Sequence, residues 1–307
     1  MKNIYVIGGA NVDIYAKTNN DLILKDSNPS RISFSYGGVA RNIAENLANL
    51  KQKVNFITAF GNDAFSKDIK EQLANKGINI SYAISSNSHN SSIYLAILNK
   101  EDLCVGASDM SILDSIDSTY LSKFKDIIED DDYLIFDSNL KEETIEYIAN
   151  NLKGIKIVDA ISANKVNKLL NVLERIDVLK VNLIEAEKIA NRKLDSDDKI
   201  ESFVKELNRK VKEVLLTKSC DLFVGKDNQV NHYKHHAYVD NPVNVTGAGD
   251  ALLATYVYCL IENFNVDLCA KLSLAAAVLN VNSNSAVANM DIDSLNNKAN
   301  EIGFEKL

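Results

Sequence analysis

Proline and glycine are both scarce in this chain, at 2 and 12 of 307 residues, where average usage would be roughly 5% and 7%. That scarcity excludes a collagen-like chain, a Pro-rich chain and a Gly/Ser linker, and 46% hydrophobic residues exclude wholesale disorder. Cysteine is rare as well. The four thiols, Cys104, Cys220, Cys259 and Cys269, show no CxxC spacing and sit in apolar surroundings, so they read as reduced core thiols rather than disulfides or metal ligands. Positive charge is in deficit. The 34 Lys and Arg against 42 Asp and Glu leave a net −8, which disfavours nucleic acid or an anionic membrane as a partner. The longest apolar run, about residues 251–261, is too short to span a bilayer. The start, MKNIYVIGGANVDIY, runs into a strand-like segment without a signal-peptide pattern. The expectation is a soluble, cytoplasmic protein.

What is present is a regular alternation. Runs rich in Val, Ile, Leu and aromatics at 3–8, 54–60, 133–136, 155–158, 178–181 and 214–217 read as buried strands. Helical patterns at 39–50, 64–76, 118–128, 142–151, 163–175, 184–190 and 199–210 lie between them. This order predicts an α/β fold with a mostly parallel central sheet and helices on both faces. Segments 12–18, 31–36 and 91–99 alternate apolar and polar residues instead, predicting a small second sheet over the mouth of the main one. Beyond Asn231 the pattern reads as helical, with Ala- and Leu-rich runs at 249–261 and 266–282. No repeat or linker divides the chain, so one domain over 1–307 is expected, with a lid from about 12–36 and 90–108.

The few glycines bunch. Six of the 12 stand at Gly8-Gly9, Gly37-Gly38 and Gly247-Ala248-Gly249. Glycines ahead of a long apolar helix let backbone N–H groups converge, so Gly247–Gly249 form a candidate anion hole at a helix start. Asp250 follows in the first turn, either stabilising the helix start or accepting a proton from an attacking hydroxyl. The loop is not a Walker A motif, since no Lys-Ser or Lys-Thr follows it. Gly37-Gly38 permits close approach of a ligand and Asn42 lies one turn on; alone, the pair is equally a tight turn into a helix. Gly8-Gly9 leads to Asn11 and Asp13 at the carboxyl end of the first strand, where α/β sheets bind ligands and where these side chains suit a polyol. No GxGxxG with a distal acid is present, which argues against a Rossmann dehydrogenase.

Elsewhere, simpler readings prevail. His232-x-x-His235-His236 sits in a strand-like, solvent-facing segment without a ligand set around it. Asp130–Asp132 reads as a solvated turn, Tyr256 and Tyr258 as core or rim packing, and Lys165 as either a surface lysine or a ligand contact.

In combination these stations resemble the ribokinase-like (PfkB-type) family of sugar and nucleoside kinases across essentially the whole chain. GGVARNIAENLANL is similar to the family's first signature and NVTGAGDA to its second, with Asn182-Leu-Ile-Glu185 as its NxxE motif and Gly61-Asn-Asp63 as its GxD turn. Within the family, Asp26-Ser-Asn-Pro29, Ser108-Asp-Met110, Asp137-Ser-Asn139 and Asn244-Val-Thr resemble the pseudouridine kinase branch. The resemblance implies an ATP-dependent phosphotransferase acting on a nucleoside 5′-hydroxyl. Asp250 is implied as general base, with Gly247, Ala248 and Gly249 as anion hole. The ribose hydroxyls fall to Asn11, Asp13, Gly37, Gly38 and Asn42, and the base to lid residues Ser27, Asn28, Asp109 and Met110, with Asn139. Asn182, Glu185 and Thr217 are implied on the nucleotide side, with Mg²⁺ held through water near Glu185. A K⁺ ion is admitted, although Asn244 stands where the family usually carries Asp. Lys51, Ser66, Ser219 and Leu222 replace usual glycines, Ala160 and Val181 usual prolines, and Leu252 and Thr255 depart from the second signature. The exposed alternating strands admit a homodimer through the lid. Other readings are a kinase for another nucleoside or a sugar, and a catalytically silent binding protein on the same fold.

Overall fold

Runs of Val, Ile and Leu without polar alternation form strands covered on both faces, and the helical stretches between them supply the cover. The computed structural model describes residues 2–100, 102–237 and 247–307; Asn244 and Pro242 lie outside them. In chain order the strands are β1 (Ile4–Ile7), β2 (Asn11–Thr18), β3 (Ser30–Gly37), β4 (Val54–Ile57), β5 (Ala59–Phe60), β6 (Ile84–Ser85), β7 (Ser92–Asn99), β8 (Asp102–Asp109), β9 (Tyr133–Asp137), β10 (Ile155–Asp159), β11 (Val178–Asn182), β12 (Glu213–Lys218), β13 (Asp221–Lys226), β14 (Gln229–His235) and β15 (Phe304–Lys306). The helices are α1 (Val39–Asn49), α2 (Ala64–Asn75), α3 (Ser118–Leu121), α4 (Glu142–Asn151), α5 (Leu183–Ala190), α6 (Asp197–Leu207), α7 (Ala248–Ile261), α8 (Val266–Val281) and α9 (Ile292–Glu301).

The main sheet runs β15-β14-β13-β12-β11-β10-β9-β1-β4. From β12 to β4 its neighbours are parallel, and β13 to β15 continue it antiparallel. Alternate residues feed two cores. Ile4, Val6 and Ile135 pack with α1, α7 and α8, whereas Tyr5, Ile7, Leu134 and Phe136 pack with α4 and α6. A separate four-stranded sheet, β3-β2-β7-β8, matches the expected second sheet.

Several expectations are corrected. The stretch 163–175 forms two 3₁₀ turns, Val166–Leu169 and Leu173–Arg175, not one helix. Its Asn and β-branched residues are weak helix formers, and Lys168 is tied across to the carbonyls of Ser138 and Leu140 at 3.1 and 2.8 Å. The helix expected over 118–128 is α-helical only through Leu121 and continues as a 3₁₀ turn. The chain is not helical from Asn231: β14 extends to His235, and His232 and His235 are buried rather than solvent-facing. His232 stacks on Phe223 at 3.9 Å and its Nε2 meets Asp221 Oδ1 at 2.8 Å. Asp132 is likewise buried, accepting from the Asn3 and Glu129 amides. Among the thiols, Cys259 and Cys269 are core residues but Cys104 is exposed on the lid. Tyr256 and Tyr258 are buried. Among the described residues no helix is long and apolar enough to cross a membrane.

Two of the non-glycine replacements carry strain. Lys51 (φ 64°) and Ser219 (φ 53°) adopt left-handed conformations that glycine tolerates better. Lys51 closes the C-terminus of α1, its amide reaching the Ala48 carbonyl at 2.9 Å. Lys51→Gly is therefore expected to stabilise the protein by ~1 kcal/mol. A raised urea midpoint checks it; an unchanged or lowered midpoint removes the strain argument.

Candidate active site

The site forms where parallel strands end. Gly8 and Gly9 follow β1, and Asp137, Asp159 and Asn182 close β9, β10 and β11, so their side chains converge at the carboxyl edge where open α/β sheets present ligands. Asn11, Asp13, Gly38, Asn42, Asn139, Gly247 and Asp250 line one cavity of about 620 Å³. Segments separated by two hundred residues thus meet at one place.

Asp250 is buried in the first turn of α7. Its Oδ2 accepts from Asn42 Nδ2 at 2.7 Å, joining the two glycine stations. Burial, with Asp159 and Asp137 nearby, pushes its carboxyl up to about 7 against the opposing pull of Lys180 and Asn42. Gly247 precedes the helix in a left-handed conformation (φ 84°), and α7 has no side-chain cap at this end. The leading N–H groups of α7 therefore lack intrahelical acceptors and carry the positive end of the helix dipole toward the cavity.

On the opposite wall, Asp13 is buried and its carboxyl is pushed up to about 6, with Arg41 opposing the shift. Gly37 allows this placement, because a β-carbon there would lie 2.1 Å from Asp13 Oδ2. The buried Oδ1 atoms of Asn11 and Asn42 have no partner among the described residues, so both are acceptors suited to ligand hydroxyls.

The pfkB family carbohydrate kinase model matches residues 1–293. The chain belongs to that family. The kinase is 30% identical over 262 residues to the pseudouridine kinase of Escherichia coli (strain K12), covering 84% of each chain. Among solved structures, a carbohydrate kinase from Agrobacterium tumefaciens superposes with a TM-score of 0.84 at 24% identity over the full length of both. Arabidopsis thaliana ribokinase, solved with ribose and ATP, gives 0.80 at 20% identity, covering 97% of this chain and 99% of that one. Those two likenesses establish the ribokinase-like fold. The family and the curated relative make the chain a phosphotransferase acting on a hydroxyl group.

Other expected residues of the kinase sit apart from the cavity. Ser27 and Asn28 do not line it; Asn28 Oδ1 accepts from the Ile23 amide at 2.8 Å and its Nδ2 reaches the Ile23 and Asp26 carbonyls, closing its own loop. Asp109 caps the following turn through the Ser111 amide and hydroxyl, and only its neighbour Met110 reaches the cavity. Asn182 and Glu185 form a capping box on α5: both Glu185 oxygens accept from Asn182, at 2.8 and 2.7 Å. Thr217 lies on β12 beside Asn182, in register with it.

Several residues of the kinase's site carry no motif in the sequence. Tyr15, Tyr94, Leu98 and Leu103 furnish the lid wall of the cavity. Lys165 lines it too and donates to Asn139 Oδ1, the contact left open by sequence. Lys180 and Asp159 form a buried ion pair at 3.0 Å beneath the glycine loop. A lysine inside the apolar run Val178–Asn182 was the available signal, since such a charge needs a buried partner.

Proposed function

We propose that this kinase transfers the γ-phosphoryl group of ATP to the 5′-hydroxyl of pseudouridine. The observation that carries the reading is Asp250, buried at the start of α7 and opening onto the same cavity as the polyol-binding set Asn11, Asp13 and Asn42. Asp250 takes the hydroxyl proton as the substrate oxygen bonds to the γ-phosphorus. The bond to the ADP oxygen breaks, and ADP leaves with its electron pair. Negative charge spread over the transferring group faces the N–H groups of Gly247, Ala248 and Gly249, so catalysis is positioning and charge stabilisation. The aromatic and apolar lid wall (Tyr15, Tyr94, Leu98 and Leu103) supports a planar base beyond the ribose, which favours a nucleoside over a free sugar. The carbon-linked base of pseudouridine offers an N–H donor that uridine lacks, and a buried acceptor for it would discriminate strongly. Met110 at the end of the lid sheet and Asn139 just after β9 are the residues at hand, whereas Ser27, Asn28 and Asp109 act through the loop shape they hold.

Asn182, Glu185 and Thr217 face the nucleotide. Among the described residues there is no His, Cys, Asp and Glu cluster fit to ligate a metal, and Glu185 is occupied by its capping box. Mg²⁺ would be carried by the phosphates, whose charge it would neutralise, and Glu185 would hold it through water. The reading of K⁺ near Asn244 falls outside the described residues. With its cysteines free, we read the protein as cytoplasmic, working as one kinase domain whose four-stranded sheet serves as the lid.

A panel of pseudouridine, uridine, adenosine, ribose and fructose 6-phosphate, followed by ADP release, tests the acceptor. Pseudouridine is expected to give the highest kcat/KM. Turnover on sugars without turnover on pseudouridine would sink the reading.

We also propose that two copies associate through the lid. On the face of the lid away from the cavity, Phe34, Ile14 and Leu95 align in one row and Ile32, Ala16, Ile97 and Val105 in a second. Ile32 is 70% exposed, Phe34 61% and Val105 50%. The two middle rows of this face are apolar, with Asp109 and Asp102 at its ends, so it suits a second copy better than the rest of a chain whose net −8 would repel one. Light scattering should give a dimer, and Phe34→Lys a monomer. A wild-type monomer at working concentration dismisses the association.

A further inference from the structure

Four buried carboxyl groups, Asp137, Asp159, Glu185 and Asp250, crowd the strand ends beneath the glycine loop. One buried ammonium stands among them in the described residues. Lys180 lies on β11 with its side chain 9% exposed and its Nζ 3.0 Å from Asp159 Oδ2. Its position relative to the loop is fixed by Gly249: a β-carbon there would fall 2.6 Å from Nζ and 3.1 Å from Cε. The ammonium thus lies against the backbone immediately before Asp250, in the space a β-carbon at Gly249 would take.

We propose that Lys180 is a positioning residue that holds Asp250 in its carboxylate form at the pH of catalysis. The inference rests on the reading of Asp250 as general base. Around Asp250 the charged and polar groups are Asn42 from α1, Asp137 from β9, Asp159 from β10 and Lys180 from β11. Three of these elements offer acids or a neutral amide, and Lys180 alone offers positive charge. Burial works against the Lys180 charge, but Asp159, Glu185 and Asp250 together outweigh it and keep the ammonium protonated. In return the ammonium opposes the burial and the two aspartates that drive Asp250 toward its neutral form. Without Lys180, the base would be protonated over more of the neutral range, and fewer molecules could accept the hydroxyl proton.

Lys180→Met keeps the stem length and removes the charge. The acid limb of kcat/KM, measured with whichever acceptor turns over, is expected to move up by about one pH unit, a tenfold loss on the acid side. Removing one member of a buried pair can unfold a protein, so the comparison is repeated in an Asp159→Asn background, where losing Lys180 no longer breaks its direct ion pair. There too the double variant should titrate about one pH unit above Asp159→Asn alone. A ¹³C NMR titration of the Asp250 side chain, identified by its loss in Asp250→Asn, reads the same quantity without catalysis. An Asp250 titration that moves up when Lys180 is removed supports the proposal even if Asp250→Asn keeps its kcat, which would overturn only the general-base reading. An Asp250 titration unchanged by loss of Lys180 in both backgrounds overturns the proposal itself.

Discussion

Replacing Asp250 by asparagine is expected to lower kcat by about 10²–10⁴-fold, the usual worth of a positioned proton acceptor. The amide keeps the shape of the carboxylate and an oxygen facing Asn42 Nδ2, so nucleoside binding should change only a few-fold. What is lost is the ability to take the hydroxyl proton as the phosphorus–oxygen bond forms. On the proposed reading the same group sets the pH dependence of the native enzyme. Its carboxyl is pushed up to about 7, first by burial and then by Asp159, and the base works only when deprotonated. Activity should therefore fall as pH drops below about 7, tenfold per unit at the acid end, and level off above it. Steady-state kinetics from pH 5 to 9 check both statements. Near-normal kcat in Asp250→Asn would remove the residue from the chemistry.

Gly247→Ala is expected to be the second most damaging change. The backbone there has φ 84°, and a β-carbon would lie 2.1 Å from the Ala286 carbonyl oxygen and 3.1 Å from Asn280 Nδ2. A left-handed alanine costs about 1–2 kcal/mol by itself. The clash adds to it, because a carbonyl oxygen of the main chain cannot rotate aside as a side chain can. Relief requires the start of α7 to shift, which re-aims the N–H groups proposed to face the phosphoryl group. Loss of one such donor is worth about 10²–10³ in kcat. A lowered melting temperature together with a kcat loss of that order is the expected outcome. Wild-type stability and kcat would mean that this loop tolerates displacement and is not an anion hole.

Much of this arrangement was legible in the sequence because its signals are local. Short apolar runs marked the parallel strands, and their ends moved by a residue, except that 54–60 divides into β4 of the main sheet and β5 of a separate two-stranded sheet. The bunched glycines marked loops, and three separate stations, at Asn11 and Asp13, at Asn42 and at Asp250, do line one cavity. What was not legible depends on contacts between distant segments. Tyr94 joins the cavity because β7 pairs with β2 so that Asp13 and Tyr94 lie side by side. The pattern of either strand alone does not fix that register. Lys180 meets Asp159 through the pairing of β10 and β11, and a single lysine leaves no periodic trace. Ser27 and Asn28 show the converse, a recognisable motif that lies outside the cavity lining while Asn28 holds the shape of its own loop. The 163–175 stretch shows how a helical spacing of apolar residues can be satisfied by two short turns when Asn and β-branched residues interrupt it.

The central claim is that this chain phosphorylates pseudouridine on its 5′-oxygen through the cavity that Asp250 opens onto. The most direct test is ³¹P NMR of the product made by the purified protein from ATP and pseudouridine. A phosphomonoester coupled to the 5′-methylene protons is expected, formed by the wild type and absent from Asp250→Asn. A phosphate on another oxygen, no ester from the wild type, or equal product from Asp250→Asn would contradict it.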